Sequence, residues 1–385
     1  MARGRAGEKE EGEKHIGLLK LAQTLSFLLI FMAGIIIGLA ASSHIDRYFN
    51  SLPTTAFSSS SSSSAALQTR RDRDCWGVEG FVRPENLSHG MSDDELFWRA
   101  SMVPVKEGYP YERAPKVAFM FLTRGPLPML PLWEKFFRGN EKYLSVYVHT
   151  PPGYDMNVSS GSAFYDRQIP SQKVEWGSPL LTDAEKRLLA NALLDFSNER
   201  FILLSESCVP VYNFSTVYSY LINSAYSFVD SYDEPTRYGR GRYSRKMLPD
   251  IKLHHWRKGS QWFEVNRKLA IYIISDSKYY LLFKLFCRPA CYPDEHYIPT
   301  FLNMFHGSVN ANRSVTWVDW SIGGPHPATY GADNITEGFL QSIRKNETDC
   351  LYNEEPTSLC FLFARKFAPS ALAPLMNLSS TVMGF

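Results

Sequence analysis

The sequence predicts an α/β domain on a parallel sheet, and three observations predict it. Apolar runs at 116–123, 144–149 and 201–204 have the length of buried strands. Segments with helical character, 130–137 and 182–198, lie between them. Each run ends in turn residues, Gly125-Pro126, Pro151-Pro152-Gly153 and Ser205-Glu206-Ser207. Strands alternating with helices in this way build parallel sheets covered on both faces.

Composition supports a folded chain and excludes other classes. With 385 residues, 44% of them hydrophobic and 14% aromatic, the chain is too apolar for disorder and long enough for one large domain or two ordinary ones. Lys plus Arg total 41 against 39 for Asp plus Glu, without the basic excess of a nucleic-acid binder. Six cysteines are too few for a small disulfide scaffold, though they allow some bridges.

The elements follow in chain order. Residues 21–41 are 21 positions without a charge, interrupted only by Gln23, Thr24 and Ser26. At ~1.5 Å per residue they match the roughly 30 Å hydrocarbon core. Arg3, Arg5, Lys9, Lys14 and Lys20 precede them. The positive-inside rule then makes 1–20 a cytosolic tail, 21–41 a transmembrane signal anchor and the rest luminal. The alternative is a cleaved signal peptide cut near Ala40-Ala41-Ser42, for which the apolar stretch is long. Residues 42–74 contain seven consecutive serines, 58–64, and read as a flexible luminal stem. Seven Asn-x-Ser/Thr sequons, at Asn86, Asn157, Asn213, Asn312, Asn334, Asn346 and Asn377, all lie on the luminal side. Burial could leave some unused, Asn213 among them.

The domain itself spans 75–385. Its first strand, 116–123, enters a Gly-Pro turn, and 130–137 reads as a helix. The second strand, 144–149, ends at His149, and 174–176 is a candidate third. Thr182 and Glu185 have capping-box spacing ahead of a face formed by Leu188, Leu189, Ala192, Leu193 and Phe196. The strand at 201–204 follows. Ligands of parallel sheets bind beyond the carboxyl ends of strands. Thr123, Arg124, His149 and Ser205-Glu206-Ser207 are therefore candidate site loops.

Common cofactor motifs are absent: there is no Gly-x-Gly-x-x-Gly, Walker or His-Glu-x-x-His pattern. Cys287 and Cys291, with three residues between them in an oxidising lumen, suit a disulfide partner better than zinc. The only Asp-x-Asp is Asp72-Arg-Asp74, in the stem, where it cannot hold a metal beside a sugar nucleotide. Asp294 and Glu295 begin the helix expected at 297–305, where acids also favour the helix dipole. Arg237, Arg240, Arg242, Arg245 and Lys246, followed by His254-His255-Trp256-Arg257-Lys258, form either a solvated face or an anion contact. Trp317, Asp319 and Trp320 mix aromatic and polar groups suited to a sugar ring, although tryptophan is more often core. Arg365-Lys366 follows an apolar strand expected at 358–363 and is either a surface pair or a phosphate clamp.

Together these segments resemble a known family. Phe201-Ile-Leu-Leu-Ser-Glu-Ser-Cys-Val-Pro-Val, Lys258-Gly-Ser-Gln-Trp-Phe263, Cys291-Tyr-Pro-Asp-Glu-His296, Trp317-Val-Asp-Trp320 and Ser358-Leu-Cys-Phe-Leu-Phe-Ala-Arg-Lys-Phe367 occur in the order of the Core-2/I-branching β-1,6-N-acetylglucosaminyltransferases, glycosyltransferase family 14. The chain is similar to the plant branch that includes brittle-culm-type proteins, over roughly 116–375.

The resemblance implies a GT-A-like fold and an inverting, metal-independent Golgi transferase. Its donor would be a UDP-sugar, carrying GlcNAc or a related sugar such as xylose or glucuronate. No cofactor or metal is implied. The acceptor would be a glycan or glycoprotein, and the membrane would be met through one helix. Glu295 matches the family's base. Thr123, Arg124, His149, Arg365 and Lys366 are the expected donor contacts, and Asp294, Trp262, Trp317, Asp319 and Trp320 the expected substrate contacts. Animal relatives bridge a short loop like that between Cys350 and Cys360, so this pair is expected to be a disulfide.

The sequence departs from the animal enzymes in three places. His149-Thr150-Pro151 lacks their nucleoside-site Asp, Pro356-Thr357-Ser358 lacks a basic residue, and Asp319 replaces an acceptor-loop aromatic. A catalytically silent, glycan-binding or scaffold protein of the same fold is therefore the alternative. A secreted wall-binding protein would follow from cleavage after Ala41.

Overall fold

The computed structural model describes residues 31–32, 82, 87–102, 108–287, 291–345 and 349–385. The chain divides into residues 1–69 and a compact unit from Arg70 to Phe385. The expected tail, all but two residues of the expected anchor, and the stem lie outside the described residues. Among the described residues no helix is long and apolar enough to cross a membrane.

The compact unit contains a central four-stranded sheet. β1 (Lys116–Leu122), β2 (Leu144–His149), β3 (Asn198–Ser205) and a short strand at Glu264–Asn266 lie in the order β2-β1-β3-Glu264–Asn266. β1 runs parallel to both β2 and β3, and the last strand is antiparallel to β3. All seven residues of β1 are buried, because both of its faces are covered. Ala118 and Met120, with Tyr147, Phe201 and Leu203, face one core; Val117, Phe119 and Phe121, with Val146, Ile202 and Leu204, face the other. This period-2 division makes three layers.

Helices supply the outer layers. On the first face lie α1 (Asp93–Ser101), α3 (Pro179–Leu193), α5 (Arg267–Ser275), α6 (Lys278–Phe286) and α7 (Pro293–Phe305). On the second lie α2 (Leu130–Phe137), α4 (Phe214–Ile222), α8 (Glu337–Arg344) and α9 (Leu372–Leu378). α2 inserts Leu132, Trp133, Phe136 and Phe137, and the Trp133 indole donates to the Cys208 carbonyl at 3.1 Å. A small second sheet places β9 (Phe363–Arg365) between β4 (Val209–Pro210) and β6 (Thr316–Val318). The hairpin of β7 (Cys350–Tyr352) and β8 (Glu355–Thr357) stands apart; we call the Glu264–Asn266 strand β5.

The strands at 144–149 and helix at 130–137 coincide with the sequence reading, but four expectations are corrected. Residues 174–176 form a loop, since nothing pairs with them as a ladder. The helix expected from Thr182 starts at Pro179, with Ser178 accepting from the Leu180 N–H at 3.2 Å. Thr182 and Glu185 therefore sit inside α3 and form no capping box, and α3 is buried nearly all round. The apolar strand expected at 358–363 is instead β9, which places Arg365 in a strand. Among the described residues two disulfides form, Cys287–Cys291 and the expected Cys350–Cys360, and Cys208 is a buried free thiol. The Asn213 sequon is engaged: its side-chain oxygen caps α4 by accepting from the Thr216 N–H at 2.9 Å.

Candidate active site at the carboxyl ends of the strands

The carboxyl ends of β1, β2 and β3 come level, with Leu122 in register with both His149 and Ser205. A cavity of about 910 Å³ opens there. Thr123, Arg124, His149, Ser205 and Glu206 line it from the strand ends. The Thr123 N–H donates to the His149 carbonyl at 3.0 Å, tying the two loops together. The imidazole of His149 is buried beside Arg187; burial above all lowers its pKa to about 4, and it accepts from the Gln172 N–H at 3.4 Å. It is a neutral wall group.

Positive charge gathers on one part of the wall. Arg124 Nε donates to Glu206 at 3.0 Å, and Lys366 lies close enough to Arg124 and Arg365 to feel both charges. Arg365 ends β9 with its guanidinium 4.2 Å from the Trp262 ring centroid, and its buried Nε has no hydrogen-bond partner among the described residues. Burial lowers the pKa of both Arg365 and Lys366, so each cation lies in a partly desolvated place.

Negative charge gathers at the start of α7. The Cys287–Cys291 disulfide precedes Tyr292, which adopts the left-handed conformation (φ 53°) and turns the chain into the helix. Asp294 and Glu295 occupy the first turn and line the cavity. Arg242 Nη1 donates to Glu295 Oε2 at 2.7 Å, and Lys258 Nζ stands 3.9 Å from the same oxygen. No hydrogen bond reaches Oε1 among the described residues. The first-turn position also favours a carboxylate through the helix dipole. Asp294 is nearly fully buried, and burial, then the Glu295 charge, raises its pKa to about 7.

One extended segment joins the two regions. Lys258 faces Glu295, and Trp262, four residues on, stacks under Arg365. Four residues of chain span at most about 14 Å between Cα atoms, and Glu295 and Arg365 line the same cavity. Gly259 lets the segment lie close. Its N–H donates to the Glu295 carbonyl at 2.8 Å, and a Cβ there would meet the Asp230 carbonyl oxygen at 2.0 Å and Pro299 Cγ at 2.8 Å. Asp230 is held by the Ser314 N–H at 2.9 Å, and burial raises its pKa.

Of the residues singled out in the sequence, Thr123, Arg124, His149, Trp262, Asp294, Glu295, Trp320, Arg365 and Lys366 line this cavity. Trp317 instead packs against Tyr330 and Phe339, with ring centroids 5.9 and 6.0 Å away. Asp319 accepts from the Tyr330 hydroxyl and, at 2.8 Å, from the Ser321 N–H. The basic run does not act as one patch: Arg242 reaches Glu295, Arg240 pairs with Asp233, and Trp256 is buried against Phe283 and His296.

Asp230, Tyr232 and Gln261 line the cavity without having been singled out individually in the sequence, whereas Glu206 and Lys258 were. Lys258 and Gln261 lay inside the Lys258–Phe263 motif, which was a usable signal. Asp230 carried none, since a single Asp after Phe228-Val229 looks like any turn acid. Among the described residues no cluster of three or more His, Cys, Asp or Glu side chains has metal-holding geometry.

The sequence model of the Core-2/I-Branching enzyme domain matches residues 117–344. The chain is 37% identical over 310 residues to the protein named Glycosyltransferase BC10 of Oryza sativa subsp. japonica, an alignment covering 69% of this chain and 76% of that relative.

Proposed function

The chain belongs to the Core-2/I-branching enzyme family, and from that premise we propose that it is an inverting, UDP-sugar-dependent glycosyltransferase acting on a glycan acceptor. The observation that carries this reading is one cavity holding the Glu295 carboxylate, with its free Oε1, and the cations Arg124, Arg365 and Lys366.

In this reading Glu295 takes the proton of the acceptor hydroxyl as that oxygen attacks the anomeric carbon. The bond from that carbon to the diphosphate breaks, and its electron pair leaves with UDP. A single displacement inverts the anomeric centre. Arg365, Lys366 and Arg124 are placed to meet the charge on the leaving diphosphate, a role a divalent ion plays in other transferases. GlcNAc or a related sugar is the proposed donor group. We further propose the Golgi lumen as the site of action, with residues 21–41 as a type II anchor. Protease treatment of sealed Golgi vesicles should then spare the 75–385 domain, and its digestion in intact vesicles would refute that orientation.

The direct test is Glu295→Gln, which keeps size and the contact to Arg242 but cannot accept a proton. Turnover should fall by about 10²–10⁴-fold while UDP binding persists. Undiminished turnover in a folded, UDP-binding variant would remove Glu295 from the chemistry. A wild-type luminal domain that turns over no member of a UDP-sugar panel would favour the silent glycan-binding reading.

A further inference from the structure

The cavity has an aromatic rim to which the proposed chemistry gives no task. Trp176, in the loop before α3, lines the cavity and is nevertheless 60% exposed. It is not an isolated surface ring. Trp320, which lines the same cavity, and Ile322 are also more than half exposed. Large apolar side chains left open together at a cavity mark a binding surface.

Two contacts hold the Trp176 ring in place. Tyr292 meets it edge to face, with centroids 5.3 Å apart and planes at 66°, and the His326 ring lies 5.6 Å away. Gly177 permits the first contact, because a Cβ there would stand 3.1 Å from Tyr292 Cε1. His326 belongs to a loop closed at its neck by the Ala328 N–H, which donates to the Asp319 carbonyl at 2.9 Å. His326 is itself exposed, so the two loops touch at the surface, on the edge of the cavity that both line.

The rim leads directly to the reacting carboxylate. The Tyr292 ring also lies 4.1 Å from the Arg242 guanidinium, and Arg242 holds Glu295 Oε2 at 2.7 Å. With links of 5.3, 4.1 and 2.7 Å, the indole stands within a short oligosaccharide of Glu295.

Its chemistry suits a neutral ligand. Val174, Trp176, Trp320, Pro325, His326 and Pro327 line the cavity from the two loops, and none is an acid, a lysine or an arginine. A pyranose presents an apolar C–H face whose slightly positive hydrogens meet the negative face of an aromatic ring. A carboxylate brought against that face would lose its hydration, with only the neighbouring Lys173 to meet it from this side. Trp317 and Asp319, expected to meet the substrate, are instead engaged with Tyr330. The open ring therefore comes from a loop to which the family resemblance assigns nothing.

We infer that Trp176, braced by Tyr292 and His326, stacks on a neutral pyranose of the acceptor and so selects a neutral oligosaccharide. Calling that glycan the acceptor rests on the transferase reading; the binding itself does not.

Saturation-transfer NMR on the full chain, held in a detergent without a sugar headgroup and with UDP present, tests this. The probes are xylobiose, cellobiose and lactose, beside digalacturonate and a serine-rich peptide. Ring protons of at least one neutral disaccharide should receive saturation. Trp176→Ala should weaken its binding about tenfold, and Trp176→Phe should restore most of it. UDP affinity, read by calorimetry, should not change in either variant. Both should fold, since the ring is more than half exposed. No saturation of any neutral disaccharide, or preference for digalacturonate or the peptide, would overturn the inference. Equal disaccharide binding in wild type and Trp176→Ala would overturn it too, and a fall in kcat alone there would make the ring a brace for Tyr292 and Arg242. Trp176-dependent binding in a chain that turns over no UDP-sugar would support the inference while the transferase reading failed. The same binding beside normal turnover in Glu295→Gln would sink only the base assignment.

Discussion

Arg242 and Glu295 are 53 positions apart in sequence and meet at 2.7 Å, Nη1 on Oε2, where Glu295 lines the cavity. The same guanidinium lies 4.1 Å from the Tyr292 ring centroid, so the residue that turns the chain into α7 also braces the cation that orients its carboxylate. A two-point hold of this kind fixes one carboxylate oxygen, and the other has no hydrogen bond among the described residues.

Replacing Arg242 by Met should therefore reduce turnover by about 10²-fold through misplacement of Glu295, with UDP affinity unchanged. Arg242→Lys should recover only part of the loss, since an ammonium lacks the planar fork that can bond Glu295 and stack on Tyr292 together. Steady-state kinetics beside calorimetric UDP titration checks this. Equal rates for Lys and Met variants would show that charge alone matters.

Stability should depend on pH through Asp294. Its folded pKa, about 7, lies above the ordinary 3.8, so the folded state holds the proton more tightly. Its stabilising contribution is complete below the unfolded value and is lost as pH rises through about 7. The wild-type melting temperature should thus fall relative to Asp294→Asn between pH 5 and pH 8. A constant difference between the two across that range would contradict it.

Gly259→Ala should cost about 1–3 kcal/mol, because the added Cβ must push against the Asp230 backbone rather than a flexible side chain. The Gly259–Glu295 main-chain bond would lengthen, so kcat should fall as well. Denaturant titration and kinetics on one preparation test both parts. A variant as stable as the wild type would mean that the segment can shift freely.

Arg200 and Glu264 form a buried pair between β3 and β5, with Nε on Oε1 at 2.7 Å and Nη2 on Oε2 at 2.8 Å. Glu264→Ala should destabilise the domain by about 3–5 kcal/mol by leaving a guanidinium unpaired in the core. A change within 1 kcal/mol, measured by urea unfolding, would be inconsistent with that burial.

The donor end can be tested separately. If Arg365 and Lys366 carry the diphosphate charge, activity should survive excess EDTA, and the double change to Ala should weaken UDP binding. Activity lost on chelation and restored by manganese would assign that charge to a metal instead.

The sequence alone determined the elements whose cause is local. Apolar runs bounded by Gly, Pro and Ser set β1, β2 and β3, because a strand buried on both faces needs continuous apolar residues whatever its neighbours. It also placed the loops after β1, β2 and β3 at the site, since parallel strands must end on one side. It failed where burial depended on what lies above. α3 looked amphipathic and capped at Thr182, yet α1, α5 and α7 cover it, so Glu185 and Lys186 became interior groups. Only the tertiary structure decided which cation serves which anion. Arg242 to Glu295 and Trp262 to Arg365 are contacts between separate segments, and chain spacing does not encode them. They exist because the helices and the Lys258–Trp262 segment converge over the strand ends, where desolvation makes each unpaired charge costly and so selects its partner.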